Sequence, residues 1–115
     1  MREDKHMINF PQDFLWGTST SGPQTEGRFA GDGKGDNLWD YWYQVEPHRF
    51  RFQEGPGLTS TFYENWEEDI ELLVETGHTA FRTSIQWSRI FPEGRGEANL
   101  AGVAFYRQVF ERIKG

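Results

Sequence analysis

The chain has 115 residues, no cysteine and a net charge of −6. That length holds one domain at most, the missing cysteines exclude disulfides and thiolate metal sites, and the acidic balance argues against nucleic acid as a general partner. Aromatics supply 17% of the residues beside a mean hydropathy of −0.78, so rings must build much of the core or serve as platforms for sugar faces.

Residues 1–9 read as a flexible leader, with Met7 as an internal start. Residues 1–13 are mostly polar and nothing resembles a signal-peptide core or a membrane-spanning run, so the expected location is the cytoplasm, with no membrane partner. Residues 14–19 form a candidate strand, with Phe14, Leu15 and Trp16 at its apolar end and Thr residues after it. Small residues follow, then Gln24 and Glu26, the pattern of a strand running into a tight turn. Residues 28–60 form a long glycine-rich connection with a short helix expected at 37–43; a connection of that length is usually functional or mobile. Within it, the GDGKGD stretch at 31–36 reads as a turn, and the HRFRF run at 48–52 as an exposed ribbon, with nucleic-acid binding as the weaker reading.

A helix is expected over 62–76. Phe62, Trp66, Ile70, Leu73 and Val74 recur at three- and four-residue spacing, Thr61 and Glu64 form a capping-box pair, and Gly77 stands at the stop position. A second strand follows at 78–85, with Phe81, Thr83 and Ile85 on one face and Ala80, Arg82 and Ser84 on the other. A turn-rich loop carries Pro92, Gly94 and Gly96. Asn99 then caps a last helix whose apolar face is Val103, Tyr106, Phe110 and Ile113. The order strand, loop, helix, strand, loop, helix implies an α/β fold with parallel strands, because the crossover helix returns the chain to the same edge.

Arg82 shares its face with the small residues Ala80 and Ser84. A guanidinium on an enclosed face must meet an anion, either a catalytic carboxylate that it keeps ionised or a structural acid of the same chain. Gln24 offers an amide that both donates and accepts, suited to vicinal sugar hydroxyls or to a backbone turn. Glu26, beside glycine, is read as a structural residue or as an acid catalyst. Trp16 and Trp87 lie near strand ends, as core residues or as cavity walls. His6, His48 and His78 lack metal-ligand spacing, and no phosphate-binding loop, dinucleotide fingerprint or nucleophile elbow occurs, so neither metal nor cofactor is expected.

The stretch FLWGTSTSGPQTEG at 14–27 resembles the N-terminal signature of glycoside hydrolase family 1, the retaining β-glucosidases and 6-phospho-β-glycosidases. Phe14, Trp16, Gly17, Ser19, Ser21, Gly22, Gln24 and Glu26 fit that signature; Pro23 and Arg28 depart from it. FRTSIQWSRIFP at 81–92 resembles the family's second landmark, at a matching distance downstream. The turn containing Pro23, followed by NLWDYWY, is similar to the branch acting on 6-phospho-β-glucosides and 6-phospho-β-galactosides.

The resemblance implies a (β/α)8 barrel, which needs about 250 residues, so residues 1–115 are expected to supply its first two βα units within one domain. It further implies that Gln24 binds hydroxyls of the sugar bound in the pocket and that Arg82 supports the nucleophilic glutamate. The family's Asn-Glu-Pro and Glu-Asn-Gly motifs, which carry the two catalytic glutamates, do not occur here. The chain alone is therefore expected to be inactive, and Glu26 does not replace them. Its expected partners are a β-glucoside or 6-phospho-glucoside, and either itself or the missing half of the barrel. Two other readings stay open: a sugar-binding module without catalysis, and an assembly piece with open strand edges.

Overall fold

The computed structural model describes residues 7–115. The expected leader at 1–9 lies mostly outside them; Met7 and Ile8 are exposed and carry no regular structure. Strand β1 (Gly17–Ser19) leads into a single helical turn, α1 (Gly22–Thr25). Helix α2 (Leu38–Val45) and two 3-10 turns, Pro47–Arg49 and Arg51–Gln53, interrupt the long connection. Helix α3 (Phe62–Glu75), strand β2 (Ala80–Arg82), the short α4 (Trp87–Ile90) and α5 (Leu100–Lys114) follow. The fold is α/β, and the two strands pair in parallel, with Gly17 opposite Ala80, Thr18 opposite Phe81 and Ser19 opposite Arg82.

Both strands are shorter than the runs 14–19 and 78–85 that β-capable residues suggest. A ladder extends only where a partner lies opposite. Here Trp16 O accepts from Thr79 N (2.8 Å) and Ala80 N (3.1 Å) at one end, and Thr20 N donates to Arg82 O (2.9 Å) at the other.

Helix α3 occupies the expected span and ends as expected, with Gly77 at φ 77° in the left-handed conformation. Its start differs. Thr61 itself has φ 58° and makes no capping bond to the helix backbone. A capping side chain works from extended backbone, and left-handed Thr61 instead accepts from Asn65 Nδ2 (2.8 Å). The full reciprocal box lies on α2, where Asn37 Oδ1 accepts from Asp40 N and Asp40 Oδ2 accepts from Asn37 N, both 2.9 Å.

The core is small: Phe62 and Ile70 of α3 against Phe105, Tyr106 and Val109 of α5. The buried stripe of α5 is therefore Gly102, Phe105, Tyr106 and Val109, rotated from the expected Val103, Tyr106, Phe110 and Ile113. Phe110 and Ile113 are exposed. Asn99 precedes the helix but makes no capping bond to it; its side-chain Nδ2 donates to the carbonyls of Asp32 (2.8 Å) and Arg89 (3.1 Å).

Candidate active site

In a parallel α/β arrangement, side chains just past the C-terminal ends of the strands are placed to meet a ligand. Gln24 lies in α1, immediately after β1, and Arg82 is the last residue of β2, opposite Ser19. A close approach brings these segments together. Gly22 N donates to Ser84 Oγ (3.1 Å), and a Cβ on Gly22 would fall 2.0 Å from Gln86 Cγ. Glycine at 22 is thus what lets α1 lie against the end of β2.

Gln24 is exposed, with its amide oxygen accepting from Ser21 Oγ (2.8 Å). It lines an open cleft of about 850 Å³ with Ser21, Trp39, Arg51, Phe52 and Ser84. Arg82 is exposed rather than enclosed, and among the described residues it forms no ion pair. Of the two anions considered for it, a structural acid is not found among the described residues. Trp16 stands at the opposite, N-terminal end of β1, in a cluster with Phe10 and Phe14, each ring centroid 4.6 Å away. Trp87 lines a cleft of about 380 Å³ with Trp39 and donates Nε1 to Gly94 O (2.8 Å). Neither tryptophan is in the core.

Behind Gln24 sits a buried polar cluster centred on Arg89, whose side chain is wholly inaccessible. Its Nε donates to Glu26 Oε2 (2.8 Å), one terminal nitrogen to Asp32 Oδ2 (3.0 Å) and the other to Gly27 O (2.9 Å). The guanidinium also lies 4.0 Å over the Tyr63 ring, a favourable cation–π placement. Glu26 further accepts from Gln86 Nε2 (2.9 Å) and Tyr106 OH (2.5 Å). Both its oxygens are occupied by partners within the cluster, the arrangement of a structural carboxylate. Nothing in residue spacing points to Arg89; the available signal was a lone cation within the apolar run WSRIF.

The electrostatics follow from these contacts. Burial raises the Asp32 carboxyl, but the N–H groups of Phe29 and Lys34 and then Arg89 outweigh it and hold it below the ordinary carboxylate range. Burial, then the adjacent Glu26 charge, pushes the Tyr106 phenol well above its ordinary value, so it remains a donor. Asp32 also explains the GDGKGD turn, accepting from Phe29 N (3.0 Å) and Lys34 N (2.8 Å). Lys34 in turn pairs with Asp40 at 2.5 Å. The buried carboxylates Glu26, Asp32 and Asp40 are thus each paired with a cation. Among the described residues no group of His, Asp or Glu is placed to hold a metal ion, and no helix is long and apolar enough to cross a membrane.

Residues 6–115 match the model of glycosyl hydrolase family 1. The chain belongs to that family. The family 1 relatives include the 6-phospho-beta-glucosidase GmuD of Bacillus subtilis (strain 168), 52% identical over 104 residues, covering 90% of this chain and 22% of that protein. Coniferin beta-glucosidase of Pinus contorta is 42% identical over 105 residues, covering 91% of this chain and 20% of that protein. The solved beta-glucosidase from Thermotoga maritima in complex with castanospermine superposes with a TM-score of 0.84 at 35% identity, covering 91% of this chain and 24% of that one. This family 1 chain therefore spans about a fifth of the length of the curated relatives it matches, and its α/β architecture is consistent with an incomplete barrel.

Proposed function

We propose that the chain is the N-terminal part of a retaining β-glycosidase that hydrolyses β-glucosides, specifically 6-phospho-β-glucosides, in the cytoplasm. The observation that carries the reading is the placement of Gln24 just after β1 and of Arg82 as the last residue of β2, at the same end of two registered parallel strands. The identity with a 6-phospho-beta-glucosidase supports the phosphorylated substrate.

In this reading Gln24 hydrogen-bonds hydroxyls of the sugar on the non-reducing side of the scissile bond. Arg82, exposed and in no ion pair among the described residues, is the cation that keeps a nucleophilic carboxylate ionised. Retention requires two carboxyls about 5–5.5 Å apart, one attacking the anomeric carbon and one protonating the leaving oxygen. The buried acids described above are each bonded to a cation and serve neither role. The Asn-Glu-Pro and Glu-Asn-Gly motifs that the family resemblance assigns to the catalytic pair do not occur in residues 1–115, and the reading places that pair outside them.

The test uses p-nitrophenyl β-D-glucoside and its 6-phosphate with the purified 115-residue polypeptide, alone and mixed with the remaining segment of the Bacillus subtilis relative. No nitrophenol release is expected from the polypeptide alone. The mixture is expected to turn over the 6-phosphate preferentially, and Gln24→Ala to lower its kcat/KM about 10–100-fold, the loss for one or two sugar hydrogen bonds. Turnover by the polypeptide alone, or an active mixture indifferent to Gln24→Ala, would refute the reading.

A further inference from the structure

The turn that carries Gln24 does not hold its own place. Helix α1 is four residues long, and its N-cap Ser21 makes no side-chain bond to the helix backbone. A single turn forms too few hydrogen bonds to offset the ordering of its backbone, so what fixes Gln24 lies outside α1. One buried side chain reaches the turn from the segment that leads out of β2. Gln86 stands four residues after Arg82 and is 6% exposed.

The Gln86 amide is engaged at both ends. Nε2 donates to Glu26 Oε2 (2.9 Å), and Oε1 accepts from Asn37 Nδ2 (2.6 Å). Its orientation is set by the cap of α2: Asn37 Oδ1 is taken by Asp40 N (2.9 Å), which leaves Nδ2 to face Gln86. A flipped Gln86 amide would put its oxygen against the Glu26 carboxylate and its amide protons against those of Asn37. The Gln86 backbone N–H donates to Tyr106 OH (2.8 Å), which itself donates to Glu26 Oε1. Gln86 thus grips Glu26, two residues after Gln24, both directly and through Tyr106. Its Cγ also packs under Gly22, where a Cβ would not fit. Arg89 and Tyr106 bind Glu26 as well, but from α4 and α5; Gln86 is the partner that leads directly back to β2.

We infer that Gln86 is a positioning residue, which sets the Gln24 amide at a fixed distance from Arg82 and so aligns the sugar with the carboxylate that attacks it. The inference rests on the glycosidase reading above and adds the side chain that joins its two halves.

The test has two arms. In the 115-residue polypeptide, 15N NMR follows the backbone amides of residues 21–26. Gln86→Met keeps the length of the side chain and withdraws both amide bonds. Asn37→Asp keeps the oxygen that caps α2 and withdraws only the donor to Gln86. Both are expected to displace those signals while the amides of α3 stay in place. In the mixture with the remaining segment of the Bacillus subtilis relative, Gln86→Met is expected to lower kcat/KM for p-nitrophenyl β-D-glucoside 6-phosphate about tenfold, the effect of one buried hydrogen bond. Gln24→Ala added to Gln86→Met should then cost less than about threefold rather than its full loss in the parent, because residues that act through one another are non-additive. A residue that only stabilised the fold would leave the two losses additive. Additive losses, or signals of residues 21–26 unmoved in both variants, overturn the positioning role and leave the glycosidase reading standing. If Gln86→Met does not fold, the same two criteria are read from Asn37→Asp. A parent mixture that is active but indifferent to Gln24→Ala overturns the glycosidase reading and the inference with it.

Discussion

Arg89 touches more of the chain than any residue of the candidate sugar site. It reaches Glu26 and Gly27 behind the Gln24 turn, Asp32 in the glycine-rich connection and Tyr63 on α3. With the guanidinium gone, two buried carboxylates would face each other without a counter-charge. Removing one partner of a buried ion pair costs about 3–5 kcal/mol, against a total of about 5–15 kcal/mol for an ordinary domain. Arg89→Met is therefore expected to lose most of its helical signal at neutral pH. Arg89→Lys keeps the charge but not the planar fork that serves three acceptors, and should fall between the two. Far-UV circular dichroism across a urea series checks both, and an Arg89→Met chain with an unchanged midpoint would show that the cluster is not what joins these segments.

At the scale of elements, Gly102 separates propensity from packing. Glycine inside a helix is ordinarily about 1 kcal/mol worse than alanine, so Gly102→Ala in α5 should stabilise if only the helix mattered. A Cβ there would fall 2.4 Å from the backbone oxygen of Arg89, which no side-chain rotation relieves. Gly102→Ala is expected to lower the urea midpoint, while Ala104→Gly, on the exposed face, should cost only the propensity difference. A Gly102→Ala chain more stable than its parent would mean that α4 and α5 are not in contact. The same contact explains what the sequence did and did not disclose. Periodicity and the Gly77 stop are local, so α3 was legible almost to the residue. In α5 two overlapping stripes share helical spacing, and the choice between them depends on Gly102 meeting a residue of another element. Gln24 and Arg82 were legible because they sit inside long motifs. Arg89 was not, because its partners Asp32 and Glu26 lie 57 and 63 residues upstream and no local pattern encodes them.

At the scale of the molecule, the surface is too large for a closed unit. It measures 9217 Å², where a folded monomer of this mass has about 6500 Å². The radius of gyration is 18.4 Å, against about 13 Å for a compact chain of this length. The excess includes apolar surface: Leu72, Val74, Phe110 and Ile113 on α3 and α5, and the rings of Phe10, Phe14 and Trp16 below β1. A hollow of about 590 Å³ beside β2, lined by Ile70, Phe81 and Ile113, adds to it. Each strand of the two-stranded sheet has one hydrogen-bonded neighbour, and an open edge next to apolar helix faces is a template for another strand. The isolated polypeptide is therefore expected to associate, eluting above 13.5 kDa in light-scattering chromatography and binding an apolar dye. Adding the remaining segment of the Bacillus subtilis relative should compete with that self-association, because the same surfaces would be covered by the rest of a barrel. A sharp monomer peak with a cooperative melt would mean that the small α3–α5 core and the Arg89 cluster suffice, and the exposed faces would then need another explanation.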